Sequence, residues 1–232
     1  MRHAIQRAAR LLGAAVLLLF IAVLALQAWY AAWVLYYAEH NPYTTALMER
    51  RAGAAGSSRT LRQHWIDYER ISPWLKRAVV AAEDARFMQH SGFDWSAIEQ
   101  ALRENLESGE IVRGGSTISQ QLAKNLFLSP RQTYLRKLQE AAIAAMLEAA
   151  LSKERILELY LNLIEWGDGV FGAAAAAQHY YGVAPAHLTR RQSSELAARI
   201  PNPRYYDRNG ITPYLRERSA DIERWSAQVD IP

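Results

Sequence analysis

The chain has 232 residues, half of them hydrophobic, enough for one membrane segment and one globular domain. Its formal charge of +4 suits nucleic acid, anionic lipid or a phosphorylated substrate. The absence of cysteine excludes disulfides and thiolate chemistry and leaves the compartment open.

Arg2, Arg7 and Arg10 precede an apolar run over residues 11–26, which leads through Gln27 into Trp29, Tyr30, Trp33, Tyr36 and Tyr37. As a helix, residues 11–37 would be about 40 Å long at roughly 1.5 Å per residue. That exceeds a hydrocarbon core of about 30 Å. The aromatic end matches an interfacial belt, and the arginines favour a cytoplasmic N-terminus, with the rest of the chain outside. The rival is a signal peptide cleaved after Ala28. It is disfavoured because Leu26 stands where a small residue is required and the apolar stretch is long. Residues 1–38 therefore read as a cytoplasmic tip and transmembrane anchor.

Residues 39–60, with Asn41-Pro42, Gly53, Gly56, Ser57 and Ser58, show little periodicity and read as a connector. Ser72-Pro73 then pairs an N-cap with a first-turn proline and starts a helix running toward Glu83. The dense cluster from Glu83 to Asp94 places adjacent carboxylates at that helix end, next to a turn at His90-Ser91-Gly92. Neighbouring carboxylates on a helix project in different directions, so one of the two faces any given cleft. Desolvation against Phe87 or Trp95 would raise a carboxylate's pKa and fit it to accept a proton. The bland reading makes Glu83 and Asp84 surface charges paired with Arg86. Asp94 caps a further helix through Leu106.

The run from Arg113 to Asn125, Arg-Gly-Gly-Ser-Thr-Ile-Ser-Gln-Gln-Leu-Ala-Lys-Asn, sets two glycines before a helix start. Such a loop can gather backbone N–H groups and the positive end of a helix dipole on an anion such as phosphate. Thr117 and Gln120 form a capping box. The spacing is not that of a Walker loop. Ser129-Pro130 opens a long alanine-rich helix to about Leu151, on which Arg136 and Lys137 fall four and three residues before Glu140. Read alone, those pairs are exposed helix salt bridges worth about 0.3–0.5 kcal/mol. Ser152 starts the next helix, with Ile156, Leu157, Tyr160 and Leu161 on one face. The alanine run over residues 173–177 reads as a tightly packed helix. Thr189 and Gln192 form another capping box, Pro201 ends that helix, and the tail after Tyr206 reads as a terminal helical segment. His64, His179 and His187 have no metal-ligand spacing. Nowhere is strand alternation sustained, so the part outside the membrane is all or nearly all helical.

Taken in order, these clusters closely resemble the monofunctional biosynthetic peptidoglycan glycosyltransferases of glycosyltransferase family 51, whose domain also occurs in class A penicillin-binding proteins. The resemblance rests first on Glu83-Asp84-x-x-Phe87-x-x-His90-x-Gly92-x-Asp94 and the run Arg113 to Asn125. It continues through Arg136-Lys137-x-x-Glu140 and Lys153-x-x-Ile156-Leu157-Glu158-x-Tyr160-Leu161-Asn162. Gly167-x-Gly169-x-x-Gly172 and Pro201-Asn202-Pro203 complete it. It covers nearly everything from Trp65 to Tyr206 together with the anchor. The end at Pro232 leaves no room for a transpeptidase domain, so the monofunctional form is expected.

The resemblance implies a mainly α fold: an N-terminal transmembrane helix plus a lysozyme-like helical glycosyltransferase domain, residues 61–232, with a smaller membrane-proximal lobe. It implies polymerisation of lipid II at the outer face of the bacterial inner membrane. The growing glycan on undecaprenyl diphosphate is the donor, the 4-hydroxyl of lipid II attacks, and a β-1,4 bond forms with inversion. Glu83 is then the general base. Ser116, Lys124, Arg136 and Lys137 hold the diphosphate, which needs charge neutralisation more than protonation. Glu140, the second essential carboxylate, orients these cations or a metal and supports positive charge at the anomeric carbon. Asp84, Phe87, His90, Arg113, Gly115, Thr117, Gln121 and Asn125 complete the candidate substrate contacts; Gln121 and Asn125 fit either sugar and phosphate oxygens or helix packing. Glu158 and Asn162 read as architectural. Of Trp65, Trp74 and Leu75, core packing is expected before lipid contact. No cofactor is required, and a divalent cation (Mg or Mn) is compatible.

The expected partners are lipid II, the lipid-linked glycan, the bilayer and cell-wall synthesis or division proteins. Nucleic acid is not expected, because the basic residues are dispersed among acidic ones. A lysozyme-like lytic enzyme would share fold and glutamate but has no use for a diphosphate-binding cation cluster. A silent membrane scaffold is opposed by the presence of both glutamates.

Overall fold

A computed structural model describes residues 2–54, 61–110, 114–129, 131 and 133–232. They divide into two compact units, Met1–His40 and Asn41–Pro232. The first unit is helix α1, Arg2–Glu39. Its span Ile5–Glu39 is long and apolar enough to cross a membrane. Residues 11–26 are exposed on every face of the helix, as suits a segment whose solvent is lipid.

The second unit starts inside the stretch read as a connector, which carries helix α2, Ala46–Ala54. Helices α3 (Pro73–Glu83), α4 (Trp95–Ser108), α5 (Ile118–Phe127), α6 (Tyr134–Ala150) and α7 (Lys153–Leu163) follow. Then come α8 (Ala173–Tyr181), α9 (Arg190–Arg199), α10 (Pro203–Asn209) and α11 (Pro213–Trp225). Short strands β1 (Arg62–Gln63), β2 (Glu165–Gly167) and β3 (Val170–Phe171) make a sheet in the order β1-β3-β2, parallel between β1 and β3 and antiparallel between β3 and β2.

The helix starts follow the chain's own caps. Asp94 accepts from Ala97 N, Ser152 from Arg155 N, and Thr117 and Thr189 each complete a capping box. Two starts depart from expectation. Ser72 precedes α3 but makes no side-chain cap hydrogen bond, its hydroxyl donating to Leu188 O. Helix α6 begins at Tyr134, capped by Thr133, whose side chain accepts from Arg136 N; Ser129 lies outside the helix and Pro130 outside the described residues. Ser-Pro imitates a cap and first-turn pair, but Thr133 supplies the side-chain acceptor that the helix uses.

Helix α5 packs on both α6 and α7, and α9 packs between α3 and α11. Ile118, Leu122, Ile143, Leu147, Ile156, Leu157 and Trp166 are completely buried there. Each aliphatic side chain contributes about 2 kcal/mol by leaving water. Gly172, at φ 81, opens α8 where a Cβ would stand 2.7 Å from Asn162 O, so only glycine lets the helix meet α7. Asn162 ties the chain before α3 to α7: its Oδ1 accepts from Ile66 N at 2.9 Å and its Nδ2 donates to Ile66 O at 2.9 Å. Glu158 accepts from Tyr68 N and from Arg155, so both residues serve the frame. Leu75 is core, whereas Trp74 and Trp65 carry Arg190 and Arg155 over their rings.

Candidate active site

Helix α3 delivers Glu83 at its last turn and breaks at Asp84, and the two carboxylates diverge as their spacing requires. About a tenth of the Glu83 side chain is exposed. Its Oε2 accepts from Gln121 Nε2 at 2.9 Å, and Gln121 Oε1 accepts from the Tyr160 hydroxyl at 2.8 Å. Its Oε1 is buried with no hydrogen-bond partner among the described residues and lies 3.5 Å from Arg218 Nη2. Burial pushes the Glu83 carboxyl above the usual carboxylate range; Gln121, Arg218 and Lys124 oppose it. Burial and the charges of Glu83 and Asp84 push the Tyr160 phenol well up, so it remains an O–H donor.

The expectation that Glu83 and Asp84 pair with Arg86 at the surface is overturned. Arg86 is bound to Asp94 through Nε, at 2.9 Å, and through Nη2. Both oxygens of Asp84 are engaged inside the protein: Oδ1 meets His90 Nε2 at 2.8 Å and Oδ2 accepts from Ile118 N at 3.0 Å. Gly92 N donates to His90 Nδ1 at 3.1 Å, which makes Nδ1 the acceptor and Nε2 the protonated nitrogen. Phe87 is fully buried, edge-on to His90 and beneath Lys153 Nζ at 4.3 Å.

The same Asp84 carboxylate sits at the helix start, where the sequence suggests that the glycine loop gathers N–H groups on a phosphate. The start of α5 already has its anion in Asp84. Around it, Thr117 N donates to Gln120 Oε1, Gln120 N to Thr117 Oγ1, and the Thr117 hydroxyl to Gly92 O at 2.7 Å. Gly115 lets the loop press against α4, since a Cβ there would stand 3.1 Å from Ile98 Cα. Ser116 Oγ accepts from Lys137 Nζ at 2.9 Å. Arg113 lies outside the described residues.

Positive charge converges instead one to two turns along α5. Gln121, Lys124 and Asn125 line a cavity of about 330 Å³ together with Arg136, Tyr160, Glu165 and the α2 residues Arg50 and Arg51. Lys124 makes no hydrogen bond or ion pair with the described residues, and burial draws its ammonium below the usual lysine range, with Glu140 opposing. Glu140 is buried and takes Arg136 Nη1 on Oε2 at 2.6 Å and Lys137 Nζ on Oε1. Arg136 Nε is buried without a partner among the described residues. An ammonium and a guanidinium edge left unmatched in a concave site are suited to an incoming anion.

Gln121, Lys124, Asn125 and Arg136 thus share one cavity, with Glu83 hydrogen-bonded to Gln121 and Glu140 bound to Arg136 and Lys137. Asp84, Phe87, His90 and Thr117 stand behind it, with their polar atoms engaged by one another and by backbone. Arg218, Arg50, Arg51 and the Tyr160 hydroxyl escaped the sequence reading. Tyr160 passed as one member of an apolar face, although a tyrosine at full burial requires a hydroxyl partner. The arginines lie in segments taken for a tail and a connector.

A family model described as Transglycosylase matches residues 50–225. The biosynthetic peptidoglycan transglycosylase of Laribacter hongkongensis (strain HLHK9) is 52% identical over 222 residues, covering 94% of this chain and 96% of its own. That of Nitrosospira multiformis is 51% identical over 221 residues, covering 94% and 96%. That of Alcanivorax borkumensis is 51% identical over 223 residues, covering 96% and 89%.

Proposed function

We propose that this chain, which belongs to the transglycosylase family and is a peptidoglycan glycosyltransferase, polymerises lipid II with Glu83 as the base for the attacking hydroxyl. The observation that carries this reading is the state of the Glu83 carboxylate. Gln121 fixes one oxygen while the other is buried and without a hydrogen bond among the described residues. A base needs such a lone pair, and a pKa raised by burial strengthens it as a proton acceptor.

In the reaction, the 4-hydroxyl oxygen of lipid II attacks the anomeric carbon of the lipid-linked glycan. Its proton passes to Glu83 Oε1, and the bond to the diphosphate breaks with inversion. Charge gathers on the departing diphosphate, where Lys124 and Arg136 meet it. Glu140 holds Arg136 and Lys137 in place. As an acid it is unnecessary, because a diphosphate leaves without protonation. The residues present do not suit a resident divalent cation. No three acidic or histidine side chains converge among the described residues, and both Glu140 oxygens are engaged by cations. Arg2, Arg7 and Arg10 at the start of α1 favour an N-terminus in the cytoplasm and a catalytic unit on the outer side, where lipid II is used.

Glu83→Gln tests the base directly, since it is isosteric but cannot take the proton. We expect glycan polymerisation from lipid II, followed on gels, to fall at least about a hundredfold with an unchanged unfolding midpoint. Polymerisation at wild-type rate in that variant would remove Glu83 from the role.

A further inference from the structure

The cavity that holds Lys124 and Arg136 has a second cationic wall that the scheme above leaves unused. Helix α2 packs on α5, and its Arg50 and Arg51 line the same space. Arg51 is accounted for: its Nε and Nη2 reach Oε2 of the buried Glu165 at 2.9 and 2.7 Å. Arg50 is not. It makes no hydrogen bond or ion pair with the described residues, and Glu165, the one carboxylate lining the cavity among them, is already held by its neighbour.

Four cations and a single carboxylate therefore line this space, and Arg50, Lys124 and one edge of Arg136 lack partners within the described protein. Like charges gathered in a partly desolvated cavity repel unless an anion arrives. With Arg51 matched by Glu165 and Arg136 by Glu140, the charges of Arg50 and Lys124 remain for an anion, and a guanidinium matches two phosphate oxygens at once. At about 330 Å³ with a charged lining, the cavity suits a polar headgroup rather than a hydrocarbon chain.

We infer that Arg50 of α2 is a further binding residue for the donor, contacting its lipid-linked diphosphate from the α2 side while Lys124 and Arg136 hold it from α5 and α6. The inference rests on the reading of this cavity as the donor diphosphate site. It gives α2 a part in recognition, where the sequence suggested only a spacer.

The test uses the full-length protein in detergent, lipid II as substrate, and farnesyl diphosphate and inorganic pyrophosphate as competitors. Arg50→Ala is expected to raise the donor KM and the competitor concentration for half-inhibition about five- to tenfold, with a smaller change in kcat. Arg50→Lys should recover part of that loss, and the unfolding midpoint should stay put in both. Lys124→Ala serves as the reference. If it weakens competition while Arg50→Ala does not, the diphosphate reading stands and the role of Arg50 falls. If neither competitor inhibits the wild-type protein, the diphosphate reading falls and Arg50 with it. A loss confined to kcat, or a lowered midpoint that Arg50→Lys restores without restoring competition, would make Arg50 structural and overturn the inference.

Discussion

At the scale of single residues, Glu83 is governed by opposing influences that can be separated. Burial favours its neutral form, while the Gln121 amide and the Arg218 guanidinium favour the carboxylate. Arg218 stands on α11, in the segment whose sequence gave no indication of a role at the site. Removing its charge takes away support for the carboxylate, so the Glu83 pKa rises further. The base must be ionised to act, and the acid limb of kcat/KM reports its pKa in the free enzyme. Arg218→Ala is therefore expected to move that limb to higher pH, toward neutrality, with little loss of rate on the plateau. Arg218→Lys should bring it part of the way back. A pH profile that stays in place, or moves toward acid, would show that Arg218 does not influence the base.

At the scale of elements, the start of α5 matters because everything on that helix is placed by it. Asp84 lies against the first turn, where a carboxylate gains from the helix dipole, and it also holds His90. Since His90 Nδ1 already accepts from Gly92, the ring cannot change tautomer to suit a new neighbour. Asp84→Ala would leave His90 Nε2–H and Ile118 N–H unpaired in a buried setting. We expect it to cost about 3 kcal/mol in denaturant unfolding. The loss should come chiefly as less folded protein, with the lipid II KM of the folded fraction nearly unchanged. A variant that unfolds like wild type yet fails to bind lipid II would instead give Asp84 a direct contact with substrate. The same element faces a carboxylate of the protein where the sequence suggested a phosphate. Two glycines before a capping box look alike whether the anion they face is a ligand or the protein's own carboxylate, and Asp84 lies far from the loop in sequence.

At the scale of the whole molecule, what the sequence disclosed depended on range. Thr117 with Gln120, Thr189 with Gln192, Asp94 and Ser152 act within a turn of themselves, and their helices begin where those residues indicate. The pairing of Arg136 and Lys137 with Glu140 was legible because all three lie close together on α6, whereas the burial of Glu140 was not. Arg218 reaches Glu83 from the far end of the chain, and Arg50 lines the cavity of Lys124 from before the catalytic motifs. No local pattern marks a contact made by packing α11 on α3 or α2 on α5.

The division into an apolar helix and a separate catalytic unit bears on how the enzyme meets its substrate. Lipid II and its polymer are confined to a bilayer, so a membrane helix turns a search in three dimensions into one in two and raises the effective concentration of enzyme and substrate for each other. None of the proposed reacting groups belongs to α1. Replacing residues 1–40 with an unrelated single-pass apolar helix should therefore preserve polymerisation in lipid vesicles. Deleting them should lower the vesicle rate by on the order of a hundredfold, while a water-soluble short-prenyl lipid II analogue is turned over at nearly the intact rate. Equal losses on both substrates would mean that α1 supports the catalytic unit itself. Equal rates on both would mean that the tether has no part in substrate encounter.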